Sequence, residues 1–574
     1  MTPRSRPSVM GTRFAISTTH YLATEAGMQV FRSGGNAVDA GVAAGVTLGV
    51  VDKHYVELGG VAPTIVHGPG LPAPEVYDGI GRSPIALTLP GYRERLGNGM
   101  PAWLLNGVVP GALDTWLTVL EKHGRLPLSE VLSPAIDIAS EGFPVHRKLA
   151  RAIDEAAVRH AAGGPEINPR MLAADGTPLV EGELLVQPEL ASFLRELARE
   201  CKGAEASRRR GIALARESFY RGRLSEVVVR HWEGIGSTLK ADDLYMHRAT
   251  VSSPVRVDVG SRQLGVCGPW SQGPTLAILM QLLKRLCRDL PDDPALAHAY
   301  LEAMKLAAAD REGFIGDPEH VEVPLSGLCS DEYADERVRL VAATAAHDLP
   351  PPGRAWYYEN GSARRGHVPQ LSPASRDDTP SKDTGYVCAM DVEGYSLSAT
   401  PSDGGVQGPT VEDLGLVLSR RGEQFWLEEG HPAGLARAKR PRLTPNPAIL
   451  MESDSAVMAL GTPGADAQCQ AMAQVLVNVV HLEMGLQEAI EAPRVVSAGI
   501  PESAQPHRYR PGVALLENRH PPELFSWLEG RGHIIEPIEA YDPVAGGVSA
   551  VRRLPTGALE AAADPRRDGC AMAW

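Results

Sequence analysis

The chain has 574 residues and a formal charge of −14; 43% of it is apolar and only 5% aromatic. That is enough apolar material for one large core or for two to four ordinary domains, and it excludes a disordered or fibrous chain. The acidic balance argues against a general nucleic-acid or membrane-surface binder, because phosphate groups need a positive field.

In chain order, the first fifty residues read as a helical region. "HYLATEAGMQVFRSGG" (20–35) has apolar residues near helical spacing and stops at Gly34-Gly35, a C-cap signal. "NAVDAGVAAGVTLGVV" (36–51) predicts a second helix with Asn36 as N-cap, apolar nearly all round and therefore buried. "TIVHGPG" and "PEVYDGIG" predict strands divided by turns. Residues 108–143 predict two helices split by a Gly/Pro turn, and 187–235 a largely helical stretch. Residues 251–270 predict short strands around a turn at Gly260-Ser261, followed by a helical block over 274–312.

Residues 347–383 are rich in Pro, Ser, Gly and charge, lack periodicity, and predict a flexible connector. Beyond it, "GYVCAMDVEGYSLSAT" predicts a hairpin turning at Asp391–Gly394, and "LGLVLSRRGEQFWL" and "PNPAILMESDSAVMALG" predict further strands. A long helix over 466–484 and a closing hairpin follow. The pattern is α+β, with stacked sheets, covering helices and a division near 383.

The seven cysteines are dispersed without metal-type spacing, which predicts reduced, structural thiols. No secretory h-region and no run of 18 apolar residues occurs, so the expected compartment is the cytoplasm. Nucleotide loops, HExxH and GxSxG elbows are missing; "GTPGA" (461–465) lacks the Lys-Ser/Thr of a phosphate loop. Arg208-Arg209-Arg210 is expected to be a solvated face.

Asp383-Thr384 stands where the weakly structured stretch meets the strand. A threonine opening a strand needs no special explanation, because Thr favours strands. It also suits a different chemistry. If the bond before it is cut, its own α-amine, with a pKa of about 7.7–8, can take the hydroxyl proton within one residue.

The wider sequence bears on that choice. "SGGNAVDAGVAAGVTLGVVDKH" (33–54), "GVVPGALDTWLTVLEKHGRLPLSEVLSPAIDIASEGF", "EAMKLAAADREGFIGDP" (302–318), "DTGYVCAMDVEGYSLSAT", "KRPRLTPNPAIL", "GTPGADAQ" and "AAADPR" resemble, in order and over nearly the whole length, the γ-glutamyltranspeptidase family. The resemblance implies an N-terminal-nucleophile (Ntn) hydrolase fold, an αββα sandwich of two stacked antiparallel sheets between helical layers. It implies a precursor that cuts itself between Asp383 and Thr384 into a large subunit, 1–383, and a small subunit, 384–574. The product is a heterodimer, with pairing of two heterodimers left open, acting on a small-molecule amide without metal or organic cofactor, nucleic acid or membrane.

By the same resemblance Thr384 is the nucleophile, Ser402 stands where the family usually has an assisting Thr, and Gly464-Ala465 stand at the Gly-Gly pair whose N–H groups hold the oxyanion. The substrate-recognition positions diverge. Ile80 replaces the arginine that grips the donor's α-carboxylate, with Arg82 two residues on. Gly404 replaces an Asn, Arg421 and Gln424 fall where the family reads the α-amino group, and Leu443-Thr444 replace a Ser-Ser pair. Arg421 would repel an ammonium group. The expected substrate is therefore a small acyl or γ-glutamyl amide, with oxamate-like or dicarboxylic-acyl (cephalosporin acylase-like) amides, or an inactive binding homologue, as alternatives. Lys439-Arg440-Pro441 is expected to be structural support near the site.

Overall fold

The computed structural model describes residues 5–201, 207–287, 294–373 and 384–574. Two seven-stranded antiparallel sheets lie at its centre. Edge to edge, one runs through Val9–Gly11, Leu559–Ala563, Ser549–Arg553, Ser455–Gly461, Ala448–Glu452, Arg262–Val266 and Val255–Val259. The other runs through Cys570–Ala573, Phe14–Thr18, Val387–Asp391, Ser396–Ala399, Thr64–His67, Glu75–Tyr77 and Val251–Ser252.

The period of two along each strand sorts side chains into layers. Tyr386, Cys388 and Met390 pack between the sheets with Ala15, Ile449, Met451, Ala459 and Val551. Val387 and Ala389 turn the other way, joining Phe14 and Ile16 under a helical layer. That layer includes Tyr21–Arg32 and Ala37–Val51, while Gly273–Leu286, Pro294–Phe314 and Gln468–Val480 cover the opposite sheet. The order helix, sheet, sheet, helix is the αββα sandwich. Asn36 caps the Ala37–Val51 helix in a capping box with Asp39, and every residue of that helix is buried, as its all-round apolar sequence predicts.

The chain on either side of residue 383 is interleaved. Val387–Asp391 pairs with Phe14–Thr18 on one side and with Ser396–Ala399 on the other, and Ser396–Ala399 in turn pairs with Thr64–His67. Cys570–Ala573 closes the sheet against Phe14–Thr18.

Several expectations need correction. The first fifty residues are not wholly helical: Val9–Gly11 and Phe14–Thr18 are strands, the latter buried along its whole length and therefore without the alternation that marks a half-exposed strand. The expected strand over 414–427 is only Leu416–Val417, followed by a 3₁₀ turn at Arg421–Gln424. Within the expected connector, residues 347–373 carry a helix, Ala355–Asn360, whose Ala355 and Trp356 are buried in the core. The Leu349 N–H also donates to the Tyr509 hydroxyl at 2.6 Å, so a proline-rich segment can be held by tertiary contacts without internal periodicity. Arg208 is not simply solvated. Its guanidinium donates to the Leu120 and Glu121 carbonyls at 2.8 and 3.0 Å, satisfying the C-terminal end of Ala112–His123.

Candidate active site

Thr384 lies buried at the entrance to the central strand Val387–Asp391. Its backbone bridges Ser402, and the following Gly385 N–H donates to Pro401 O at 3.0 Å. Ser402 is fixed from both sides, because its N–H donates to Val61 O at 2.9 Å and its carbonyl accepts from Val61 N at 3.1 Å. So held, the Ser402 hydroxyl donates to Thr384 Oγ1 at 3.0 Å. Arg421 Nη2 donates in turn to Ser402 Oγ. A guanidinium, a hydroxyl and a second hydroxyl thus form one directional chain that ends on Thr384 Oγ1.

Asp403, next to Ser402, holds φ +105, an uncommon conformation for a residue with a side chain that costs about 1–3 kcal/mol. Its carboxylate accepts the Ser419 hydroxyl at 2.5 Å and lies 3.9 Å from Arg421 Nε. This buried carboxylate balances the Arg421 charge without occupying the guanidinium edge turned to Ser402. The 3₁₀ turn carrying Arg421 places residue i+3, Gln424, on the same face. Gln424 Nε2 donates to Thr444 Oγ1 at 3.2 Å, and both residues are buried. Arg421 thus reaches the Thr384–Ser402 pair, while Gln424 and Thr444 bond each other at the end of the same turn.

Gly464 and Ala465 form a turn just beyond the strand Ser455–Gly461, which passes against the Tyr386 ring: a Cβ built on Gly461 would lie 2.2 Å from Tyr386 Cε2. Both turn residues have positive φ, +121 and +46. The left-handed form costs Ala465 about 1–2 kcal/mol that glycine would not lose. Among the described residues, no acceptor takes either N–H. The next residue pins the turn. Asp466 accepts from Arg311 Nη1 at 2.6 Å, from Gln272 Nε2 at 2.9 Å, and from the Ser503 N–H and hydroxyl at 2.8 and 2.7 Å.

Arg311 belongs to a fully buried charge network. Its Nε donates to Glu312 at 2.5 Å, and Arg442 grips Glu312 with two bonds of 2.9 and 2.7 Å. Burial pushes the Glu312 carboxyl up, but Arg311 and Arg442 outweigh it and hold the group well below the usual carboxylate range.

Arg82 pairs with a different set of groups. Its guanidinium donates to Glu319 at 2.8 Å and lies 3.8 Å from Asp317. Arg440 binds the same two carboxylates and Asp78, so Arg82 and Arg440 share an acidic cluster. Lys439 Nζ donates to Pro432 O at 2.7 Å. Ile80 is buried between the sheets. Asp383 lies outside the described residues. Asp403, Ser419 and Asp466 were not singled out from the sequence: each acts on a neighbour across the fold, and nothing in its local pattern marks it.

An αββα sandwich of this kind is the architecture of the Ntn hydrolases. The family model for Gamma-glutamyltranspeptidase matches residues 23–574, and the chain belongs to that family. The chain is 30% identical to the Glutathione hydrolase-like YwrD proenzyme of Bacillus subtilis (strain 168), over 98% of this chain and 99% of that protein. It superposes on the solved structure of LmbA2991HD with a TM-score of 0.90 at 33% identity, covering all of both chains. It also superposes on the cephalosporin acylase from Bacillus halodurans with a TM-score of 0.84 at 26% identity, over 100% of this chain and 98% of that one. Among the described residues no helix is long and apolar enough to cross a membrane.

Proposed function

We propose that this protein is a self-processing amide hydrolase or acyltransferase that works through an acyl-enzyme on Thr384, with a substrate other than a γ-glutamyl amide. The observation that carries this reading is the chain Arg421–Ser402–Thr384. The Ser402 hydroxyl donates to Thr384 Oγ1 and so steadies the negative charge that builds there as its proton leaves. In the intact chain the Thr384 nitrogen is locked in a peptide bond. Cleavage after Asp383 frees it as an α-amine, which takes the hydroxyl proton as Oγ1 attacks the amide carbonyl. The Gly464 and Ala465 N–H groups face the developing oxyanion, and the amine returns its proton to the leaving nitrogen. Water, or an acceptor amine, then attacks the ester and releases the acid or the transferred acyl group.

Charge supports the substrate class. Arg421, Gln424 and Thr444 offer a cation and neutral hydrogen-bonding groups, while the nearby carboxylate of Asp403 already serves Ser419 and faces Arg421. That set favours an anionic or neutral acyl group, as in oxamyl or dicarboxylic-acyl amides, over a zwitterionic γ-glutamyl group. Two measurements test the proposal. Denaturing gels of purified protein should show two bands sized as 1–383 and 384–574. The processed enzyme should hydrolyse glutaryl or oxamyl anilides faster than γ-glutamyl anilide. A persistent single band, unchanged by Thr384→Ala, overturns the mechanism; efficient γ-glutamyl turnover overturns the substrate class.

A further inference from the structure

Behind the Thr384 strand lies a group of imidazoles that the proposed chemistry does not use. Asp52 and His54 follow the C-terminus of the buried helix Ala37–Val51, and His146 is the N-cap of Arg147–Ala161. One ligand atom from each of the three residues lies within 4.8 Å of the others. His54 Nδ1 is 3.3 Å from Asp52 Oδ1. That separation matches the edge of a tetrahedral zinc shell, about 3.3–3.5 Å for bonds of roughly 2.0–2.1 Å.

His54 is the second, independent sign. Its side chain is only 2% exposed, yet neither ring nitrogen has a partner with hydrogen-bond geometry. Leaving such a group unmatched in the interior is unfavourable. His20, whose ring centroid is 5.1 Å from that of His146, is not a fourth ligand. Its Nδ1 accepts the Leu22 N–H at 3.2 Å, which leaves the proton on Nε2.

A second group, His298, Glu302 and His533, meets the same spacing but is already satisfied. His298 and His533 share a 2.8 Å hydrogen bond, His298 Nε2 bonds the Ala342 carbonyl, and Lys305 pairs with Glu302 at 2.6 Å. Protons and an ammonium fill the places a cation would take.

We infer that Asp52, His54 and His146 form a binding site for a single divalent transition-metal ion of the zinc type, with at least one coordination position left to solvent. The fold gives that ion a positioning role. The Thr19 hydroxyl donates to Asp52 Oδ2 at 3.2 Å and accepts the Tyr386 N–H at 3.3 Å, two residues beyond Thr384. Val56, in the same turn as Asp52 and His54, packs against Gly385, where an added Cβ would lie 2.4 Å from Val56 Cγ2. A metal clamped between Asp52, His54 and His146 ties the Arg147–Ala161 helix to the turn that braces residues 385 and 386.

The test uses full-length protein without a histidine tag, stripped with chelator and titrated with ZnCl₂ and CoCl₂. The expected result is about one equivalent bound with micromolar or tighter affinity, visible Co²⁺ ligand-field bands, and a raised Tm. His146→Ala and His146→Gln alter a partly exposed ring and should weaken Zn²⁺ binding by about 100-fold or more and abolish the Co²⁺ bands. Absence of stoichiometric binding in the wild-type protein, or equal binding in either folded variant, overturns the assignment. Neither readout depends on turnover, so failure here is distinguishable from failure of the proposed amidase activity.

Discussion

Replacing Ser402 by Ala tests the core of the site most directly. Ser402 is fully buried and takes part in two side-chain hydrogen bonds, donating to Thr384 and accepting from Arg421. Losing the donor weakens stabilisation of the charge that grows on Thr384 Oγ1. A hydrogen bond to a charged group is worth about 1.5–3 kcal/mol, which corresponds to a fall of roughly 10- to 150-fold in rate. Arg421 also loses an acceptor, and the Asp403 carboxylate, 3.9 Å from its Nε, does not replace it without movement. That adds a stability loss of about 1–3 kcal/mol. The assays are the half-time of precursor cleavage on denaturing gels, and kcat and KM of whatever processed enzyme forms. Both cleavage and kcat should fall together, while KM changes little, because the lost bond acts on the nucleophile. Ser402→Thr keeps the hydroxyl and should remain within a fewfold of wild type. If Ser402→Ala cleaves itself and turns over within twofold of wild type, the hydrogen-bonded chain has no part in the reaction.

Three further outcomes follow from the geometry. Thr384→Ala should leave an intact precursor with no acyl-enzyme detectable by mass spectrometry, while Thr384→Ser should process measurably; a processed Thr384→Ala protein contradicts the role given to Thr384. Asp466→Asn weakens the anchor to Arg311 and should lower kcat by about 10- to 100-fold, with binding of an unreactive substrate analogue preserved, as expected if the adjacent turn positions oxyanion donors. Glu312 has a folded pKa below its unfolded value, so its contribution to stability is complete above about pH 4.3 and is lost as pH falls below that. Glu312→Gln should therefore cost about 3–5 kcal/mol at neutral pH and show a shallower acid-side loss in urea unfolding. Parallel acid limbs for the two proteins refute the assignment.

Much of the architecture was legible from local pattern. The Asn36 cap, the all-apolar helix behind it and the hairpin after Thr384 follow from signals contained within a few residues. Phe14–Thr18 was not legible, because a strand buried on both faces loses its alternation, and nothing local separates it from the helix that follows. The site divides in the same way. Thr384, Ser402 and Arg421 were reached through family resemblance, and the structure brings them into contact. Asp466 works through Arg311, 155 positions away, Asp403 through Ser419 and Arg421 in the following loop, and His54 and His146 meet across 92 positions with no spacing that signals a metal. Arg82, close in sequence to a recognition position, pairs with Glu319 in this structure.

The threading of strands from both sides of residue 383 through the same sheet has a consequence for the protein if it is cut there as proposed. Two pieces that merely touched would have a dissociation constant, could exchange partners, and could be made separately and mixed. Here, withdrawing 384–574 means pulling Val387–Asp391 and Ser396–Ala399 out from between Phe14–Thr18 and Thr64–His67 and opening the interior, so separation and unfolding are the same event. On that proposal the precursor peptide bond matters mainly before cleavage: it keeps the two halves at high effective concentration while the sheets assemble, and once they have closed a cut would leave an assembly that dilution does not take apart.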